Sequence, residues 1–204
     1  MSHYFDAAPV SERREQRTVS IQGRDFAVTT AGGVFSTARL DPGTAVLLDH
    51  VPPPPSTGVL ADVGCGWGPI TLALASAAPG ASVVAADVNA LARELTAANC
   101  AAAGLGNVET LGQDAPAVLR GRGVQLAGLW SNPPIRIGKA ALHELLLDWL
   151  VLLAPDAKAH LVVGKNLGAD SLQRWLTEQG FATERIASSK GFRVLEVAAR
   201  AATG

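Results

Sequence analysis

The chain has 204 residues, a formal net charge of −1 and 48% hydrophobic residues. That length suits one domain with at most a small N-terminal extension, and the apolar fraction can fill a core without metal or disulfide staples. The near-neutral charge excludes a globally basic nucleic-acid binder. No apolar run approaches the roughly 18 residues of a membrane span, the start lacks an apolar signal core, and two cysteines, Cys65 and Cys100, are too few for a disulfide framework, so a reducing, cytoplasmic location is expected.

In chain order, residues 1–17 are polar and aperiodic and read as an extended arm. Thr18 to Thr30 alternates about Gln22-Gly23-Arg24-Asp25 and predicts a β-hairpin. A loop with Phe35 follows, and then a helix from Pro42 to about His50 with Asp41 as its N-cap. The proline run Val51 to Ser56 is a stiff linker. It separates an N-terminal arm, hairpin and helix (1–50) from a second segment, 57–204.

From Thr57 onward short apolar runs alternate with amphipathic ones. Strands are predicted at Val59–Asp62, Ser82–Ala86, Val108–Leu111, Leu126–Trp130 and Lys158–Gly164. Helices are predicted at Pro69–Ala78, Ala90–Ala103, Ala115–Leu119, Lys139–Leu153 and Ala169–Gln179. Two β-rich segments, Phe181–Ala187 and Arg193–Ala198, close the chain through a connection too short for a parallel crossover. The expected fold is α/β: a seven-stranded sheet with an antiparallel last strand and helices on both faces.

The stretch Asp62-Val63-Gly64-Cys65-Gly66-Trp67-Gly68 ends the first of these strands. Its glycines permit a tight turn and close approach to a ligand, but their spacing is neither the dinucleotide fingerprint nor the Walker loop. Glycines serving only a tight turn are the bland alternative. Asp87 ends the second strand, 23 residues beyond Gly64, where a carboxylate can hold both hydroxyls of a ribose. Asp114 follows the third strand, where it can accept from an adenine amino group or simply cap a helix. Three carboxylates along one sheet edge also favour a cationic sulfonium such as that of S-adenosylmethionine. The four histidines are scattered and neither cysteine has a partner at ligand spacing, so no metal is expected. Trp130, Trp149 and Trp175 read as packing residues, whereas Trp67 either packs against a cofactor or covers the turn.

Asn132-Pro133-Pro134-Ile135 follows the fourth strand of the series. Two prolines forbid both ladder pairing and immediate helix formation, which predicts a stiff turn at the ligand-binding edge of the sheet. The Asn132 side-chain carbonyl and the Pro133 backbone carbonyl would there form two converging acceptors, suited to a planar amino group being methylated on nitrogen. Asn132 could instead cap the helix beginning near Gly138 or pin the loop. Basic residues gather at Arg13, Arg14, Arg17 and Arg24, and again at Arg136, Lys139, Lys165, Lys190 and Arg193. They are either ordinary solvated charge or a rim that meets phosphates.

On these residues, together with His3-Tyr4-Phe5, Gly33-Val34-Phe35-Ser36, Asp87-Val88-Asn89 and Ile135-Arg136-Ile137-Gly138-Lys139, the chain resembles class I S-adenosylmethionine-dependent methyltransferases of the methyltransferase small-domain family. Within it the likeness is to stand-alone relatives of the small-subunit ribosomal RNA guanine-N2 methyltransferase. The resemblance implies a Rossmann-like methyltransferase sheet over 57–204, with Asp62, Gly64, Gly66 and Gly68 at the methionine portion of the cofactor. It further implies Asp87 at the ribose, Asp114 at the adenine, and Cys65, Val88, Asn89 and Ala115 beside them. Asn132, Pro133 and Pro134 would be catalytic. The implied partner is ribosomal RNA or a ribosomal subunit, with Phe35 and Ile135 against the target base and Arg136, Lys139 and Lys190 on phosphates. Many enzymes with this motif carry an aromatic residue where Ile135 stands, so stacking is expected from elsewhere, with Phe35 the candidate. The alternatives are methylation of a protein glutamine amide, and a non-catalytic RNA-binding or assembly role.

Overall fold

The computed structural model describes residues 14–32, 34 and 40–200, with the side chain of residue 136 left undescribed. The expectations placed on His3-Tyr4-Phe5, Arg13, Gly33, Phe35 and Ser36 lie outside the described residues, as does that on the Arg136 side chain.

Two antiparallel strands, β1 (Arg14–Ile21) and β2 (Arg24–Ala31), form a separate hairpin in which Ile21 pairs with Arg24 across Gln22-Gly23. The strand reaches back to Arg14, so the last residues of the expected arm pair with β2. Positive φ at both turn residues, 48° and 78°, matches the twist of the flanking strands. The α1 helix (Pro42–His50) starts as the sequence predicts: the Asp41 carboxylate accepts from Thr44 N–H at 3.0 Å, and proline occupies the first turn.

The main sheet contains β3 (Gly58–Val63), β4 (Ala81–Ala86), β5 (Val108–Leu111), β6 (Leu126–Ser131), β7 (Leu153–Gly164), β8 (Thr183–Ser189) and β9 (Phe192–Ala198). Their spatial order is β5-β4-β3-β6-β7-β9-β8. All neighbouring pairs through β7 are parallel, while β9 runs antiparallel to both β7 and β8. The last strand therefore inserts between its two predecessors, as a short hairpin connection requires. Helices α2 (Pro69–Ala77), α3 (Ala90–Ala102), α4 (Ala115–Gly121), α5 (Lys139–Leu150) and α6 (Ala169–Glu178) make the connections. Apolar clusters on the two faces bury Leu60, Leu74, Trp130 and Val194 on one side and Leu129, Leu146, Trp149 and Leu161 on the other.

Besides the start of β1, the boundary between α5 and β7 differs from expectation by several residues. The predicted helix ends at Leu150 rather than Leu153, and β7 begins at Leu153 rather than Lys158. Leu126 pairs with Leu153 but Gly128 pairs with Lys158, so the extra residues around Pro155 are taken up by an irregularity in the ladder. Proline has no N–H to donate and is tolerated at such a break.

The hairpin is packed onto helices α2 and α3 beside the glycine stretch. Val19, Ile21, Phe26 and Val28 are buried with Trp67, Leu72, Leu95 and Cys100. Asn99 of α3 joins the same parts by hydrogen bonds: its Oδ1 accepts from Thr29 N–H at 2.7 Å, and its Nδ2 donates to Thr29 O at 3.0 Å and Trp67 O at 2.8 Å. Trp67, which the sequence leaves open, is 2% exposed within this apolar cluster.

Candidate active site

Parallel strands bring their C-terminal ends to one edge, and register decides which loops face each other there. Val63 pairs with Ala86 of β4 and with Ser131 of β6, and the Ser131 hydroxyl donates to Val63 O at 2.6 Å. The next residues are Gly64 on β3 and Asn132 on β6, so the glycine stretch and the Asn-Pro-Pro segment adjoin. A Cβ on Gly64 would stand in ordinary contact, 3.9 Å from Pro134 Cδ and 4.0 Å from the Asn132 backbone oxygen, so it is the φ of 80° that favours glycine. Gly64, Cys65, Gly66, Asp41, Thr44 and Asn132 line a small cleft between the two segments. Gly68 faces elsewhere: a Cβ there would meet Thr96 of α3 at 3.0–3.2 Å, so its absence lets helix and loop pack closely.

The glycine stretch is pinned by backbone bonds from Gly64 N–H and Cys65 N–H to Ala86 O, at 2.8 and 3.1 Å. Asp87 completes the clamp, accepting from Gly66 N–H at 3.1 Å through one oxygen and from Asn89 N–H at 2.9 Å through the other. Each oxygen retains acceptor capacity. Asn89 caps α3 by accepting from Leu91 N–H, and next to it Val88 is an apolar side chain left 73% exposed. Asp114 is exposed at the start of α4 and makes no side-chain cap bond, while Ala115 is buried behind it. Arg93 donates to the carbonyls of Asp87 and Val88 at 2.7 and 3.1 Å, which places a positive charge at the end of β4.

Asp62 is fully buried. Its Oδ2 accepts from Thr71 N–H at 2.9 Å and Thr71 Oγ1 at 2.6 Å, while its Oδ1 has no partner. Burial drives the carboxyl up to about 7 from an ordinary 3.8; the Thr71 bonds oppose this and the nearby Asp87 charge adds to it. The Cys65 thiol is raised well above its usual range, chiefly by burial and then by the Asp62 charge, so it is not an activated nucleophile.

Asn132 does not cap α5, whose N-cap is Gly138 with no side-chain bond. Its Nδ2 instead donates to Asp41 Oδ1 at 2.7 Å and to Thr44 Oγ1 at 3.1 Å, both at the start of α1. Among the described residues nothing donates to Asn132 Oδ1. The Pro133 carbonyl is already engaged by Ile135 N–H at 2.8 Å, leaving one lone pair, so the two acceptors of the sequence reading are unequal. Residues Ile135–Ile137 form a 3₁₀ turn, with Ile135 partly buried against the core.

The basic residues divide into two groups. Arg14 pairs with Glu94, Arg17 with Glu15, and Arg193 with Asp170, so these charges are already compensated. Lys139 at the start of α5, Lys165 after β7 and Lys190 in the β8–β9 turn are exposed, and each follows the C-terminal end of a strand on the cleft side. Sequence reasoning assigned Asp41 only its capping role and gave Thr44 none. It also overlooked Phe192, a half-buried ring packed so close to Gly43 that a Cβ there would lie 2.9 Å away. Ordinary capping and strand patterns conceal all three. Among the described residues no group of three or more His, Cys, Asp or Glu could hold a metal, and no helix is long and apolar enough to cross a membrane.

Residues 25–196 match the family described as Methyltransferase small domain. The uncharacterized protein YbxB of Bacillus subtilis (strain 168) is 30% identical over 195 residues, covering 95% of this chain and 96% of that protein. Ribosomal RNA small subunit methyltransferase C of Acinetobacter baumannii (strain AYE) is 29% identical over 189 residues, covering 93% of this chain and 52% of that protein. The chain thus spans about half the length of this named relative. Among solved structures, the T. thermophilus 16S rRNA N2 methyltransferase in complex with AdoMet and guanosine aligns with a TM-score of 0.79 at 23% identity, covering 95% of this chain and 53% of that one. At that identity the likeness shows the fold.

Proposed function

The chain belongs to the methyltransferase small domain family, and we propose that it transfers a methyl group from S-adenosylmethionine to an exocyclic amino nitrogen, guanine N2 of small-subunit ribosomal RNA. The observation that carries this reading is the orientation of Asn132. Its amide nitrogen is occupied by Asp41 and Thr44, which leaves its side-chain oxygen to accept, in the cleft that Asn132 lines with Gly64. Ribosomal RNA is favoured by the named relatives and by the exposed Lys139, Lys165 and Lys190 along the same edge.

The residues present fit the proposed cofactor. Asp87 has acceptor capacity for two ribose hydroxyls, Val88 offers exposed apolar surface beside it, and Asp114 has no cap bond to compete with an adenine amino group. The left-handed φ of 80° at Gly64 lets the chain turn beside the Asn-Pro-Pro segment, and the buried Asp62 carboxyl lies behind the glycine stretch. When bound, S-adenosylmethionine would supply an electrophilic methyl on a cationic sulfur, whose C–S bond breaks to leave a neutral thioether as the C–N bond forms.

The chain's part in the reaction is orientation and desolvation. A guanine N2 lone pair is delocalised into the ring and is a poor nucleophile. Asn132 Oδ1 accepts one N–H and the free lone pair of Pro133 O accepts the other, so the nitrogen pyramidalises and its lone pair turns toward the methyl. Its extra proton leaves for water after the C–N bond forms, so no strong base is needed beforehand. The stiffness of Pro133-Pro134 keeps both acceptors in place. Phe192, packed against the first turn of α1, is an aromatic available to the base where Ile135 offers apolar contact only.

Asn132→Ala should lower kcat by on the order of a hundredfold while cofactor affinity stays within about twofold, since a transition-state acceptor is lost. Single-turnover methyl transfer alongside calorimetry separates the two effects. Wild-type turnover in the variant would remove Asn132 from the chemistry.

A further inference from the structure

We infer that Asp41 and Thr44 are positioning residues that decide which end of the Asn132 amide faces the reacting nitrogen. This inference rests, for its kinetic consequence, on the methyl-transfer reading. The two ends of a carboxamide are nearly isosteric, yet opposite in hydrogen-bonding character. With oxygen toward the site, Asn132 attracts an N–H of the target amino group; with nitrogen there, it opposes the same group. Nothing in the Asn-Pro-Pro backbone selects between these states, because rotation about the last side-chain bond leaves the backbone untouched.

Asp41 makes the selection. A carboxylate only accepts, so the end of the amide 2.7 Å from Asp41 Oδ1 must be the donor. The Thr44 hydroxyl oxygen, 3.1 Å from the same Nδ2, takes its second proton. The selector is itself held, because Asp41 Oδ1 also accepts from Thr44 N–H at 3.0 Å in the first turn of α1. Thr44 is 3% exposed, so water competes poorly at this contact. The helix preceding the sheet is thereby joined to chemistry 91 residues further along the chain.

The discriminating variant is Asp41→Asn. It keeps the shape, but the single oxygen that accepts from both Thr44 N–H and Asn132 Nδ2 becomes one end of an amide. When that amide turns, its donor end stands opposite Asn132 and allows the flipped state, at the cost of the cap bond to Thr44 N–H. Thr44→Val removes the second acceptor at nearly constant shape. We expect kcat to fall by roughly 10- to 100-fold in Asp41→Asn and about 3- to 10-fold in Thr44→Val, with cofactor affinity close to wild type in both and melting temperature close to wild type in Thr44→Val. In a double-mutant cycle Asp41→Asn should cost nothing further once Asn132 is alanine. Wild-type kcat in Asp41→Asn, or losses that multiply independently in the cycle, would overturn the inference. The side-chain amide resonances of Asn132 provide a reading that needs no turnover: they should move in Asp41→Asn, and unmoved resonances would overturn the inference as well. A wild-type chain that methylates no RNA would contradict the methyl-transfer reading, and these resonances would then decide the amide orientation by themselves.

Discussion

Asp62 illustrates how the site costs stability. Its folded-state carboxyl lies near 7 against 3.8 ordinarily, chiefly through burial. Between those values the native protein holds a proton that the unfolded chain has released, so stability is lost as pH rises from about 4 to about 7. Asp62→Asn removes that dependence while keeping an acceptor for Thr71. The variant should be more stable than wild type at pH 8.5 by roughly 2–4 kcal/mol and nearly equal to it at pH 4. Urea unfolding at the two pH values checks this; an identical difference at both would show that the carboxylate is not strained.

Elements carry the second level, and Asn99 is the clearest case. It satisfies Thr29 N–H, Thr29 O and Trp67 O at once, tying hairpin, helix α3 and glycine stretch together. Asn99→Ala should cost about 2–4 kcal/mol, because buried backbone groups lose their partners. Hydrogen exchange should accelerate in β2 ahead of the main sheet; uniform acceleration throughout would contradict a local tie. Most elements were legible in the sequence because each is announced locally. Ser82–Ala86 is a short, mostly apolar run between turns, Pro42 follows an N-cap, and the five residues between Ala187 and Arg193 can join only a hairpin. Contacts between distant segments were not legible. Asp41 reads as a complete helix cap and gives no sign that it also holds Asn132. Trp67 remained ambiguous until the hairpin covered it. The start of β7 was missed because Pro155 and Asp156 break an alternation that the strand tolerates only through its irregular pairing with β6.

At the scale of the whole molecule, charge is arranged by position rather than by sum. Arg14 and Arg17 on the hairpin are paired with carboxylates, whereas Lys139, Lys165 and Lys190 follow strand ends on the cleft side. If they meet phosphates, Lys139→Ala with Lys190→Ala should reduce the salt slope of RNA binding by roughly 1.4–1.8 units and leave binding of free S-adenosylmethionine unchanged. Filter-binding titrations across salt concentrations check this; an unaltered slope would favour a protein amide as the methyl acceptor. The central claim is methyl transfer to guanine N2 of small-subunit ribosomal RNA. Its most direct test is to incubate the protein with isotopically labelled S-adenosylmethionine and either 16S-type RNA or small subunits lacking the modification, then digest the RNA and analyse it by mass spectrometry. The account predicts labelled N2-methylguanosine at a defined site, lost in Asn132→Ala; label confined to another nucleotide or to protein, or no label in either substrate, would contradict it.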